Sequence, residues 1–452
     1  MTSQVNNDPF TRLANSIYRV LETYSNVHRG SGHKSVITTK LFEDARKVVL
    51  DYLGLNSDRY SVIFSTPRYG KLLGESLKQE QYEKISTHEL GIPIGVTALA
   101  IQKRYLPRIP FLHTGGGTTR LMATDWVLWA NGHEKFEPGT PAVVNIIAFA
   151  TALMISKIQG SHVFKDNYRD FSNACGNVFT DQLEKYQGDK LLKKLKETLI
   201  GANIHVPTMT GTKQYINLDN SASTPAFGPV WDAYKKTLSL PVNAREEIVH
   251  HVRKICADFM NAPASDYDIF FTGNTTEAIN LVKENLEIYT TGNQETVIVN
   301  SLMEHSSNDL PWRMLQNSSL LYLNVDEEGF FDPEELETLL SAYNKEKKHG
   351  EKFIKLVAIS GASNVLGTCN DIAGISKLTR EYGARLLVDA AQLAPHRTMD
   401  VKALGIDYLA LSGHKLYAPF GCGLLVARKK YLNFDHEELA TIRSSGEENV
   451  AV

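Results

Sequence analysis

Apolar and polar positions follow two periods along the chain. Short apolar runs bounded by turn-forming residues recur at YSVIF (60–64), YDIFF (267–271), TVIVNS (296–301), KLVAISG (355–361), RLLVDAA (385–391), YLALS (408–412) and GLLVA (423–427). Runs of that length predict buried strands. Between them apolar positions fall three and four apart, which predicts helices with one buried face. Apolar strands separated by helical segments predict an α/β fold with a mainly parallel sheet covered on both faces, here over roughly residues 205–435. The most apolar stretch, Val143 to Ile155, follows Pro141 and includes Asn145 and Thr151. It predicts a buried helix, since a membrane span needs about 20 apolar residues.

The pattern also repeats, with a break. Shifting the sequence by 207 positions places Arg46, Lys47, Asp51, Tyr60 and Phe64 on Arg253, Lys254, Asp258, Tyr267 and Phe271. Shifting it by 326 places residues 86–106 on 412–432 with nine of 21 positions identical, among them Ser86/Ser412, His88/His414, Pro93/Pro419 and Gly95/Gly421. The offsets differ by 119 residues, so the first copy lacks a block that the second retains. Four parts follow. Residues 1–75 start a first copy, 80–165 rejoin it beyond the missing block, 166–213 form a mainly helical connector, and 214–452 are the second copy.

The 452 residues allow about three structural units. A net charge of −3 gives no electrostatic footprint for nucleic acid or an anionic membrane. The start, MTSQVNNDPF, lacks the basic and apolar regions of a secretory signal. Cys175, Cys256, Cys369 and Cys422 are scattered without CxxC spacing, which suits a reducing cytoplasm and no metal framework.

Candidate chemistry sits where the apolar runs end. RLLVDAAQ ends in Asp389, with Gln392 three residues on. Ligands of open α/β sheets bind beyond such strand ends, although an acid there also caps helices. YLALSGHK ends in Ser412, followed by His414 and Lys415. A lysine in a partly dry site forms imines, although most lysines are surface groups. In FFTGNTTEAINLV, Gly273 and Asn274 make a turn and Thr275, Thr276 and Glu277 open a helix. That end binds phosphate or is a plain N-cap. His305 follows TVIVNS, and Asn364 follows the strand in ISGASNVLG. Each has a bland structural reading as well.

Order and spacing decide between those readings. Residues 214–432 resemble class V aminotransferases of pyridoxal 5'-phosphate (PLP) fold type I, the group that includes cysteine desulfurases and selenocysteine lyases. The strings that carry the resemblance are INLDNSASTP, FTGNTTEAINLV, EHSSNDLPW, ISGASNVLG, LLVDAAQ and LSGHKLYAPFGCG. It implies a seven-stranded-type, mainly parallel sheet with a smaller α+β domain, PLP as cofactor, and a homodimer. It assigns the Schiff base to Lys415, the pyridine nitrogen to Asp389, the phenolic oxygen to Gln392 and ring stacking to His305. Asn364 falls near the substrate carboxylate. Thr275, Thr276, Ser412 and His414 fall at the phosphate. The first copy resembles the family in pieces: VHRGSGHKS (27–35), GGGTTR (115–120) and KFEPGTPAVV (135–144). Thr118 then falls at a phosphate, and Arg29 and Lys135 near a substrate.

Three departures qualify that picture. Glu89 stands at the lysine position of the first copy, which also has no counterpart of Asp389, so Lys34 and its other lysines are expected to form no imine. The second copy lacks the HRG element, and the chain ends at SSGEENVAV, before the family's C-terminal small domain. Neither Cys369 nor Cys422 matches the cysteine loop of family desulfurases. The reading is a PLP-dependent transferase or lyase acting on an amino acid or small amine, with a degenerate non-catalytic scaffold as the alternative. The first copy is expected to complete the second copy's pocket.

Overall fold

The computed structural model describes residues 8–27, 32–110, 112–168, 176, 178–180, 182–289 and 295–447. Its centre is a seven-stranded sheet built from β8 (Tyr267–Thr272), β9 (Thr296–Ser301), β10 (Ser318–Leu323), β11 (Phe353–Ser360), β12 (Arg385–Asp389), β13 (Tyr408–Ser412) and β14 (Gly423–Arg428). The order is β10-β9-β11-β12-β13-β14-β8, parallel throughout except for β14, which runs antiparallel to both neighbours. Alternate residues of each strand enter two different cores. Val297, Leu386, Val388 and Leu409 pack on one face with helix residues Leu336 and Ile375. Ile298, Leu387, Tyr408 and Ala410 pack on the other with Ala278 and Val282. Burial on both faces is why these strands read as unbroken apolar runs.

The N-terminal unit carries a small antiparallel sheet, β1 (Tyr60–Ser65), β3 (Thr97–Gln102) and β2 (Tyr82–Ser86), in the order β1-β3-β2. Its registers reproduce those of the large sheet. Tyr60 faces Gln102 as Tyr267 faces Arg428, and Tyr82 faces Ile101 as Tyr408 faces Ala427. Applying the two offsets turns one set of pairs into the other. The small sheet is therefore the β8-β14-β13 edge of the large one without the segment that carries β9 to β12. The helix Val143–Gln159, buried as its composition predicts, packs with Pro9–Thr23 and His33–Leu53 against this sheet.

Hairpins β4 (Thr119–Met122) with β5 (Val127–Trp129), and β6 (His205–Thr208) with β7 (Gly211–Gln214), complete the strands. In the connector the described helix is Gly188–Glu197, and the stretch closes with the β6–β7 hairpin, where Gly211 takes a positive φ of 101°.

The two units are locked together by buried polar contacts. Arg68 forms an ion pair with Glu284, whose other carboxylate oxygen meets His113. Asn280 Nδ2 donates to Thr114 O at 2.8 Å, and Thr66 Oγ1 donates to Glu277 Oε1 at 2.6 Å. Positions 66 and 273, equivalent under the 207-residue offset, face each other: a Cβ on Gly273 would lie 2.6 Å from Thr66 Cγ2. Equivalent positions that face each other are the property of a two-fold interface, here contained in one chain. Burial alone would push the Glu284 carboxyl up, but His113 and Arg68 outweigh it and hold it down at about 2. A depressed carboxyl contributes stability above its ordinary value of 4.5 that is lost as pH falls toward about 2. Glu284→Gln should therefore cost roughly 3–5 kcal/mol at neutral pH in urea unfolding, and its deficit should shrink as the pH falls through that window. A neutral-pH stability equal to wild type would remove this pair from the interface account.

Candidate active site

The parallel strands all end on one edge of the sheet, and the candidate residues sit just beyond. Asp389 ends β12. Ser412 ends β13 and leads into the 3-10 turn Gly413–Lys415. His305 follows β9, and Asn364 follows β11. β8 leads through Gly273 and Asn274 into the helix Thr275–Tyr289.

Ser412 ends β13 and Thr275 opens the helix after β8, two strands that lie two apart, a separation of roughly 10 Å. They nonetheless touch: Thr275 N donates to Ser412 Oγ at 2.7 Å, and the two hydroxyls are 2.6 Å apart. Gly423, the first residue of the intervening β14, permits this, since a Cβ there would stand 2.6 Å from the Asn274 backbone. The equivalent position in the first copy is Thr97. Asn274 Oδ1 accepts from Glu277 N at 2.9 Å while Glu277 Oε2 accepts from Gly273 N at 2.6 Å, so two side chains of the turn close it from both ends.

These groups open onto a cavity of about 830 Å³ lined by Thr275, Thr276, His305, Asn364, Asp389, Gln392, Ser412, His414 and Lys415. Burial raises the Asp389 carboxyl against the opposing pull of the Ala391 N–H and Lys415, and Asp389 Oδ1 accepts from Ala391 N at 2.9 Å. Burial, with Lys415 beside it, lowers His414 to about 3, so its ring is neutral, and its Nε2 has no hydrogen-bond partner. Gln392 Nε2 donates to Ser221 O at 2.7 Å. His305 Nδ1 accepts from Ser307 N at 3.2 Å, which fixes its tautomer with the proton on Nε2 when neutral. Asn364 is exposed among the lining residues.

The N-terminal unit forms part of the wall through Tyr24, Gly32, Lys34, Gly116, Gly139 and Thr140. Gly116 N donates to Ser307 Oγ at 3.3 Å, and that hydroxyl lies 2.7 Å from Thr276 Oγ1. Gly115 holds a φ of +152°, and a Cβ on it would collide with Thr276 Cγ2. Thr118 is buried with its hydroxyl donated to Gly115 O at 2.7 Å, so it holds the glycine turn and does not line the cavity. Lys135 is not brought to the cavity either; its Nζ donates to Arg108 O at 2.9 Å. Arg29 lies outside the described residues. Glu89, at the first-copy lysine position, accepts from Ser86 N at 3.1 Å in an exposed capping box. Cys422 is half-buried, its thiol pushed up to about 11 by desolvation, and Cys369 is exposed; neither lines the cavity. Cys175 lies outside the described residues.

Two further groups are not among the candidate residues. Lys34 is one. The other is Glu304, whose carboxyl accepts from Ser301 Oγ at 2.8 Å and from Ser360 Oγ and Asn308 Nδ2 at 2.7 Å. Burial pushes it up to about 7 despite those bonds. A raised carboxyl favours the fold fully below its ordinary 4.5, and that contribution is lost as pH rises to about 7. Glu304→Gln should flatten the fall in stability between those limits in urea unfolding followed across pH; a variant with the wild-type slope would place the titration elsewhere.

Comparison with known proteins follows the same outline. The model of the family described as aminotransferase class-V matches residues 83–203 and 216–439, together well over half the chain. A probable cysteine desulfurase of Borreliella burgdorferi is 38% identical over 180 residues, which is 39% of this chain and 40% of that protein. A cysteine desulfurase of an Enterobacter species is 40% identical over 204 residues, 43% of this chain and 45% of that one. The chain thus spans about half the length of the curated relatives it matches. An apo cysteine desulfurase structure from Thermococcus onnurineus NA1 aligns with a TM-score of 0.41 at 31% identity, over 47% of this chain and 53% of that one.

Proposed function

The chain belongs to the class V aminotransferase family, and from that premise we propose that it is a PLP-dependent enzyme acting on an amino acid or small amine through Lys415. The observation that carries the proposal is the convergence of Lys415 and His414, Asp389 and Gln392, and His305 on one cavity from three separate strand ends. The residues fit the cofactor. The buried, unpartnered Nε2 of His414 awaits an acceptor or donor, and the turn after β8 presents a helix N-terminus toward an anion.

When bound, PLP supplies a reactive aldehyde and a ring that accepts electrons. The chain's own groups would do the rest. Asp389 would pair with the pyridine nitrogen, and Gln392 with the phenolic oxygen. His305, held by Ser307, would lie on the ring. Thr275, Thr276, Ser412 and His414 would hold the phosphate, with Gly116 closing that end from the N-terminal unit. Lys415 would bind the cofactor and, once freed by an incoming amine, move the substrate α-proton, with Asn364 near the substrate carboxylate. The N-terminal unit serves as wall rather than as a second site: it has neither the lysine nor the acid-bearing strand.

The matched relatives are named cysteine desulfurases, which makes cysteine the first amino acid to test. No thiol among the described residues lines the cavity, so sulfur would have to leave to an external acceptor or to a group outside them. The test is Lys415→Ala. The visible absorbance of lysine-bound cofactor should disappear from the purified variant, and borohydride treatment of wild type should fix the cofactor on Lys415. Persistence of the absorbance, with trapping on another lysine, would overturn the assignment.

A further inference from the structure

Four cationic or imidazole side chains line the cavity: Lys415, His305, His414 and Lys34. The first three are accounted for by the proposed cofactor site. Lys34 comes from the N-terminal unit, in the first turn of the helix His33–Leu53, and is only 6% exposed. Its ammonium donates to Gly201 O at 3.0 Å and lies 4.6 Å from the Tyr215 ring centroid. No ion pair joins it to a carboxylate among the described residues. A neutral carbonyl and a ring face leave a buried ammonium under-compensated, and burial lowers its pKa. The helix end around it is equally short of negative charge. Gly32 at the N-cap offers no side chain, and the first turn has no acidic residue. Helix dipole and ammonium thus face the same cavity with one sign of charge.

We propose that Lys34 is a specificity-determining residue that binds the carboxylate of an amino-acid substrate from the N-terminal wall of the cavity. The carboxylate would receive a charge-assisted hydrogen bond from Lys34 Nζ, while its amino group faces Lys415. The inference rests on the proposed function and narrows it, from amines in general to amino acids. Lys415, Asp389 and His305 carry no information on that choice.

Calorimetric titration tests it with three probes: L-alanine, ethylamine (the same amine without a carboxylate) and propionate (the carboxylate without an amine). Lys34→Met, which keeps the apolar stem, should weaken L-alanine and propionate by about ten-fold or more and leave ethylamine within about two-fold. Lys34→Arg, which keeps the charge, should restore most of the loss and serves as the comparison if the Met variant unfolds in parallel thermal melts. Equal affinity of wild type and Lys34→Met for both carboxylates would overturn the proposal, as would an equal loss for all three probes. Propionate forms no imine, so its titration is independent of Lys415. A failure of the proposed function and a failure of this assignment are therefore read separately.

Discussion

The turn Gly273–Asn274–Thr275 is the point through which the rest of the site is built. From its own unit it receives Ser412, which accepts the Thr275 N–H across Gly423. From the N-terminal unit it receives Thr66 on Glu277, and the carbonyls of Pro138 and Thr140 on Asn274 Nδ2. A β8-to-helix turn held from one side only would leave buried polar groups unpaired, at a cost of roughly 1–3 kcal/mol each. With both sides in place, the helix end, the Ser412 hydroxyl and Gly116 of the N-terminal unit share one corner of the cavity.

The break in the repeat explains why the two copies have diverged in role. The segment carrying β9 to β12 brings His305, Asn364 and Asp389 at its strand ends, and the first copy lacks it. What remains there is three strands whose pairing needs nothing from that segment. Thr97 at the Gly423 position denies the first copy the close approach that lets a helix turn meet the β13-type strand. Glu89 has turned to capping Ser86. Thus the first copy keeps its packing and its glycine turn at 115–117, and loses the groups that would act on a cofactor.

The strands buried on both faces were legible because their runs are apolar and short, and β9 and β13 fall on the bounds their composition predicts. So was the repeat, down to offsets that carry one sheet's register onto the other. β10 was not: as an edge strand with mostly half-buried residues, SSLLYL shows no buried run. The strand-end residues were legible through their order; Lys135 and Thr118 were expected at ligands from local resemblance, yet Lys135 is taken up by Arg108 O and Thr118 by Gly115 O. Lys34 and Glu304 were illegible for a physical reason. Their character comes from burial against segments distant in sequence, Gly201 and Tyr215 for one and Ser360 for the other.

The central claim is that one chain forms one cofactor site and that its N-terminal unit supplies part of the wall. Equilibrium dialysis of PLP against the full chain and against Gly115→Ala measures this most directly, because the added methyl, on a backbone already at a φ of +152°, would press from the N-terminal unit on Thr276 and Ser307. The account predicts one cofactor per chain and a dissociation constant raised by about ten-fold or more in the variant, the effect of an overpacking penalty above 1 kcal/mol. Two cofactors per chain, or an unchanged dissociation constant, would contradict it.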